Sequence, residues 1–204
     1  MFKSKEKKER ALGVRLGLKA ERCNSPKCAM VRRPNRPGIH GGKRKKQVSE
    51  FGQQLAEKQK IVISYGLKEA QMRGVFQKAL KKKESVSDTI ISLLEGRLDN
   101  VVYRLGFAPS RICARQYVSH GHLLVNGRKV TIPSYQVKVG NIIKIRPESA
   151  NKLIFKNVPE NIKTLEAPTW LSIDKDKIEG TIRSLPYGVE IPFDINLVVD
   201  FYSK

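Results

Sequence analysis

An α+β fold is predicted for this 204-residue chain from two observations. Apolar residues recur at helical spacing through much of the stretch from residue 48 to residue 119. Near residue 120 the pattern switches to period-two alternation around Asn126-Gly127, the strongest two-residue hairpin signal in the chain. Helices come first, therefore, and a small curved antiparallel sheet follows.

Each element can be argued in order. Residues 1–47 are basic and punctuated by Pro34, Pro37, Gly38, Gly41 and Gly42. They hold too little apolar surface to offset the entropy of ordering, so an extension that orders on its partner, with one short helix, is expected. Val48, Phe51, Leu55 and Val62 share a helical stripe, with Lys58 and Lys60 outside it, and Gly66 fits a helix stop. A second helix is expected over 68–83, with Val75, Phe76, Ala79 and Leu80 inward and Lys81, Lys82 and Lys83 complementing the helix dipole. The clearest amphipathic pattern spans 90–105, through Ile90, Ile91, Leu94, Leu98, Val101, Val102 and Leu105. Gly106 turns the chain, Ser110 is a natural N-cap, and the next helix runs to Ser119 before Gly121.

Residues 122–125 read as a strand and 128–132 as its return. Tyr135, Val137 and Val139 alternate, and Gly140-Asn141 turns the chain into a strand at 142–145. Beyond Leu153 the chain is broken by Pro159, Pro168, Pro186 and Pro192, with short strands expected at 170–173 and 197–202.

Forty Lys plus Arg against 19 Asp plus Glu leave a formal charge of +21, which points to a polyanionic partner. Residues 1–50 carry a net +12, 51–100 +3, 101–150 +7 and 151–204 −1. Two basic zones imply two contact surfaces, or one built from both, with a salt-dependent affinity. No apolar run approaches the ~20 residues of a membrane-spanning helix. The first residues lack a signal-peptide core, and three cysteines cannot form a fully paired disulfide scaffold. A soluble, cytoplasmic protein without a cofactor is expected. Membrane-surface binding through Lys43, Arg44, Lys45 and Lys46 lacks an amphipathic anchor.

The chemistry concentrates between Arg97 and Val130. Arg111 and Arg115 lie four residues apart on one helix face; Arg104 comes from the preceding helix, and His120 and His122 follow at the turn. Such a group offers forked donors to phosphate oxygens. Tyr103 and Tyr117 are of a type that stacks on unpaired bases, although core packing is the preferred reading for Tyr117.

This segment resembles the S4 RNA-binding domain, and nearly the whole chain resembles the small-subunit ribosomal protein S4 family. The wider likeness rests on Glu21 to Ala29 (ERCNSPKCA), Pro37-Gly38-Ile39-His40-Gly41, Glu57-Lys58-Gln59-Lys60, Tyr65-Gly66 and the ending Ile195 to Lys204. The resemblance implies a helical, discontinuous domain interrupted by the S4 domain. The expected parts are a basic extension at 1–47, a helical domain of 48–90 plus 159–204, and the S4 domain at 91–158. It implies direct, early binding to a multi-helix junction of small-subunit ribosomal RNA, nucleation of the subunit body, and a position near where messenger RNA enters, beside small-subunit proteins three and five. A part in translational accuracy goes with that position. RNA contact is carried over to His40, Lys43, Arg44, Lys45, Lys46, Lys58, Arg73, Arg97, Arg104, Arg111, Arg115 and His120. The sequence departs from the family after Arg111, where Ile112 and Cys113 stand in place of a second basic residue.

The second departure concerns metal. Cys23 and Cys28 are spaced C-x4-C, and some relatives complete a four-cysteine zinc site with an upstream pair. Ungapped counting puts Glu6 and Glu9 there, an unusual set for structural zinc, so the cysteines are an incomplete site or simply a thiol pair. The enzyme alternative is Gly96-Arg97-Leu98-Asp99, a string also found in pseudouridine synthases, where the Asp is the nucleophile. Because it falls inside the S4-like segment, Asp99 is expected to pair locally with a cation. A further alternative is an S4-domain factor acting transiently on ribosomes.

Overall fold

A computed structural model describes residues 5–43, 47–189 and 191–203. The chain divides into two compact units, one of residues up to Ser87 together with the C-terminal segment from residue 190, the other Asp88–Val189. The first unit is therefore discontinuous. The sequence-based boundary after residue 158 differs from this division, because residues 171–182 supply two strands to the sheet of the second unit.

The first unit contains α1 (Lys5–Leu12), α2 (Ala20–Cys23), α3 (Ala29–Arg32), α4 (Glu50–Ser64) and α5 (Glu69–Leu80). The N-terminal part is more ordered than its composition suggests, with three short helices and buried Leu16, Leu18, Cys23 and Cys28. Its organiser is polar: the Glu9 carboxylate, almost fully buried, accepts the backbone N–H groups of Leu16 at 3.0 Å and Leu18 at 3.2 Å. That substitutes directed hydrogen bonds for the apolar area the segment lacks.

In α4 the expected stripe is corrected. Val48 and Phe51 are exposed, and the buried face carries Gln54, Lys58, Ile61 and Ser64. Ser49 caps the helix by accepting the N–H of Gly52. In α5 Met72, Phe76 and Ala79 are buried, whereas Leu80 is exposed. The C-terminal run expected as a strand is instead α11 (Ile195–Ser203), which packs on α4 and α5. A short run such as 197–202, five apolar or aromatic residues with Asp200 among them, is ambiguous between strand and helix. Asp194 decides it locally by accepting the N–H groups of Asn196 and Leu197 at the helix start, and Ile195 and Val198 then share the buried face.

The second unit starts with α6 (Val86–Glu95, whose first turn belongs to the preceding unit), α7 (Leu98–Arg104) and α8 (Arg111–Ser119). The amphipathic helix expected over 90–105 is two helices. It breaks at Gly96-Arg97, where Arg97 is extended and pairs with Gln136 in an isolated antiparallel bridge. A Cβ on Gly96 would lie 2.9 Å from the Ser92 carbonyl oxygen and 3.1 Å from the Gln136 side chain, so the crossing needs glycine. Ser110 caps α8 by accepting the N–H of Cys113, as its position suggested.

The sheet follows with β1 (Leu123–Val125), β2 (Arg128–Lys129), β3 (Ile142–Ile145), β4 (Leu171–Asp174) and β5 (Glu179–Ile182), all antiparallel in the order β2-β1-β3-β5-β4. Asn126 and Gly127 both adopt positive φ, the geometry of a type I′ hairpin turn. The return strand is shorter than expected, and residues 135–139 form no strand beyond the Gln136 bridge. Between β3 and β4 lie α9 (Pro147–Ala150), a 3-10 turn and α10 (Val158–Thr164). The core joins Leu98, Val102, Leu105 and Phe107 to Val118, Leu123, Ile143, Trp170 and Ile182.

Candidate nucleic-acid interface

The junction of α6, α7 and α8 is organised by two buried carboxylates. Glu95, at the end of α6, accepts from Arg104 through both oxygens, at 2.9 and 3.0 Å. It also accepts the Asn100 amide at 2.9 Å and lies 3.8 Å from Arg111. Arg111 donates to Asn100 Oδ1 at 2.7 Å and lies over the Tyr103 ring, 4.8 Å from its centroid. Asp99, in the first turn of α7, accepts Arg97 Nε at 3.0 Å and Nη2 at 2.7 Å. A carboxylate without solvent must be compensated in this way, and the forked guanidinium does it with two parallel bonds.

This changes the roles of the arginines singled out from sequence. Arg97 is buried against Asp99, so its guanidinium is a structural partner and does not reach the surface; this corrects its expected place at the interface. Asp99 pairs with a neighbouring cation as expected and is itself buried, which leaves it no access to a substrate base. Arg104 and Arg111 are brought together as predicted, on Glu95, and retain only partial exposure. Arg115 is half-buried on α8, and His120 is exposed at its C-terminal end.

A denser cationic group surrounds the α8 end. His122 contacts Ser149 Oγ at 3.0 Å through Nδ1, and its ring stands 6.0 Å from that of His120. Its pKa is lowered, chiefly by burial and then by the fields of Lys152, His120, Arg146 and Lys129. Lys129 comes from the strand after the hairpin and lies across Gly121, where a Cβ would meet its side chain at 2.2 Å. Tyr117 and Phe155 pack edge to face at 5.0 Å beneath this group, the packing role preferred for Tyr117. Lys129, Arg146 and Lys152 were missed as site residues. The basic pair directly after Asn126-Gly127 was a readable signal for Lys129; Arg146 and Lys152 join only through the fold.

In the first unit the expected residues separate. His40 and Lys43 are exposed, and Arg44, Lys45 and Lys46 lie outside the described residues. Arg73 is exposed on α5. Lys58 is buried: Nζ lies 3.0 Å from Glu69 Oε2 and 4.5 Å from the Phe201 ring centroid. Its expected surface role is corrected, since it ties α4 to α5 and α11.

Cys23 and Cys28 are both buried, and the Cys23 thiol donates to Glu9 Oε2 at 3.9 Å. Burial pushes the Cys23 pKa up, a backbone hydrogen bond at Lys19 opposes this, and nearby Glu9 and Cys28 add to the rise. Glu6 pairs with Arg22 at 3.0 Å and with Lys19 at 3.8 Å. Among the described residues no group of three or more His, Cys, Asp or Glu side chains is arranged to hold a metal ion. With Glu9 committed to backbone amides and Glu6 to cations, the residues here do not fit a zinc site.

Two family models match along the chain: "Ribosomal protein S4/S9 N-terminal domain" over residues 2–95 and "S4 domain" over residues 96–143. Together with the fold they define a ribosomal protein of the S4 class. Small ribosomal subunit protein uS4 of Thermus thermophilus is 47% identical over 194 residues, 94% of this chain and 93% of the relative. That of Gloeobacter violaceus is 46% identical over 197 residues, 96% and 94% of the two chains, and uS4A of Alkaliphilus metalliredigens is 46% identical over 194 residues, 94% and 93%. The chain belongs to the uS4 family of small ribosomal subunit proteins, which is structural and not enzymatic.

Proposed function

We propose that this chain binds small-subunit ribosomal RNA directly, on the cytoplasmic small subunit, at a junction of several RNA helices. There it nucleates assembly of the subunit body. The observation that carries the RNA reading is the crowding of His120, Lys129, Arg146 and Lys152 around half-buried His122 at the end of α8. Among the described residues its paired counter-charge is Glu148, bonded to Arg146. Like charges at such separation repel unless an anion joins them, and a phosphate backbone supplies that anion.

His120, Arg115 and Lys129 contact phosphates in this reading, while Glu95 and Asp99 hold the helices that present them. Arg104 and Arg111 add their exposed edges. His40, Lys43–Lys46 and Arg73 form a second surface on the first unit, so that separate RNA segments are gripped by one chain. The neighbours proposed from the family likeness are small-subunit proteins three and five, with messenger RNA close by and an influence on translational accuracy.

The test is binding of the full chain to the 5′ region of small-subunit ribosomal RNA, titrated with salt against transfer RNA and duplex DNA. Arg115→Ala combined with Lys129→Ala and Lys152→Ala is expected to lower the salt slope by about 2 to 3 and to weaken binding roughly tenfold or more. Unchanged affinity and slope would remove this surface from the RNA. A chain that leaves the small subunit in a high-salt wash would favour the transient-factor reading instead.

A further inference from the structure

The sequence places His120 and His122 together at the turn after α8, yet the RNA reading above gives a contact to His120 alone. His122 stands at the centre of the group, and every element packed against it sends a polar or charged side chain toward it. From α8 come His120, with ring centroids 6.0 Å apart, and Tyr117, edge-on at 6.5 Å. Lys129 comes from β2, Arg146 and its paired Glu148 from the start of α9, and Lys152 from the turn after α9. Phe155 meets the ring edge to face at 5.8 Å. We propose that His122 couples RNA binding to proton uptake: neutral in the free chain near pH 7, it is protonated as a phosphate seats beside it. This rests on the RNA-binding reading above.

The first support is the way the ring is held. His122 Nδ1 lies 3.0 Å from Ser149 Oγ, and Ser149 is 3% exposed. By turning its hydrogen, a hydroxyl donates to a neutral imidazole nitrogen or accepts from a protonated one. Ser149 therefore suits both charge states. The backbone closes the same contact, since the Arg146 N–H donates to the His122 carbonyl at 2.9 Å and the Ser149 N–H to the Arg146 carbonyl at 2.8 Å. The ring keeps its place whichever charge it carries. Among the described residues Nδ1 is the ring nitrogen with a hydrogen-bond partner, which leaves Nε2 for the anion.

The second support is the balance of charge. Lys129, Arg146 and Lys152 act on the ring, while the carboxylate of Glu148 is bonded to Arg146 and 72% exposed. Partial burial and this field both disfavour a further positive charge on the imidazole in the free chain, the direction in which its pKa is displaced. A phosphate brought against the group reverses the field at the ring. Histidine is the side chain whose ordinary value, about 6.5, lets such a reversal change its charge near neutrality. A group that holds its proton more tightly in the complex than in the free chain takes one up on binding. Affinity then rises as pH falls through the bound value and levels off below the free one. The competing reading is a structural His122 that stays neutral in both states.

The experiment measures affinity of the full chain for the 5′-region RNA at fixed salt between about pH 8 and about pH 6. The unmodified chain is expected to bind roughly three- to tenfold more tightly at the acid end. His122→Gln, which keeps a donor and an acceptor for Ser149 but does not protonate in this range, flattens the dependence. His120→Gln keeps a pH-dependent affinity. A second measurement needs no substitution: the chain has three histidines, and their isotope-labelled rings are titrated by NMR with and without a junction fragment of the RNA. The His122 titration is expected to move upward in the complex. An unmoved His122 titration would overturn the proposal, as would an unchanged pH dependence in His122→Gln. Loss of the dependence in His120→Gln alone would assign the proton to the other imidazole and also overturn it. Failure of the unmodified chain to bind the RNA at any pH would instead overturn the underlying RNA-binding reading.

Discussion

Glu9 in the first unit and Glu95 in the second are equally withdrawn from solvent, at 1% and 0% exposure, but they are compensated by different means. Glu95 is met by side chains: Arg104 through two bonds, Asn100, and Arg111 at longer range. Glu9 is met mainly by the main chain, through the N–H groups of Leu16 and Leu18. The difference teaches where cations are spent. In the second unit three arginines are engaged in holding helices together, and the free positive field arises elsewhere, at the end of α8. In the first unit the buried acid draws on backbone amides, so the nearby arginines are tied elsewhere, Arg22 to Glu6 and Arg10 to the Asn35 carbonyl.

The largest effect is expected at the side-chain-compensated acid. Glu95→Ala leaves Arg104 and Asn100 without their buried acceptor and is expected to cost about 3 to 5 kcal/mol in urea unfolding. A loss below ~1 kcal/mol would mean that water replaces the carboxylate and that the α6–α7–α8 junction does not depend on it. Glu9→Ala orphans two buried amides and is expected to cost about 1 to 3 kcal/mol, with Glu9→Gln milder because it keeps one acceptor oxygen. In the same assay a strong zinc chelator should leave the unfolding midpoint of the unmodified chain where it is. A chelator-induced drop would show that metal, and not Glu9, organises the N-terminal helices.

The smallest effect concerns pH. Tyr202 donates to Glu69 Oε1 at 2.7 Å, and Lys58 approaches the other oxygen, so α11 is fastened to α4 and α5 through this carboxylate. Burial raises the Glu69 pKa, but the Tyr202 and Lys58 hydrogen bonds outweigh it, so the net direction is down. Burial and the same bond push the Tyr202 phenol up. A carboxyl lowered in the folded state binds fewer protons there than in the unfolded chain. Its stabilisation is present above the ordinary carboxylate pKa of about 4.3 and is lost as pH falls through the folded value. Tyr202→Phe should therefore flatten the acid side of the stability profile. An identical profile in the variant would show that this fastening contributes nothing.

The legibility of the chain was uneven for physical reasons. Ser110 acts through its own side-chain oxygen, and Asn126-Gly127 and Gly121 through their own backbone conformations, so capping and turn chemistry could be read directly. The break at Gly96-Arg97 could not, because the force that opens the helix is a partner 39 residues along, Gln136. The same holds for the C-terminal segment: Leu197-Val198-Val199 is apolar with two β-branched valines, and it is helical because Asp194 caps it and α4 accepts its face. At the interface, the meeting of Arg104 and Arg111 was visible from spacing, whereas the burial of Arg97 and Lys58 was not. A cation's position in sequence does not say whether a carboxylate will reach it.

By itself, the sequence determined the α+β order of elements, the family, and the excess of positive charge that calls for a polyanion. These depend on local periodicity, on long motifs and on composition, none of which requires knowing what touches what. Only the tertiary structure decided which cations are consumed in ion pairs and which stay available. That depends on the few ångströms separating a guanidinium from Glu95, Asp99 or open solvent, and those distances are fixed by packing between residues far apart in the chain.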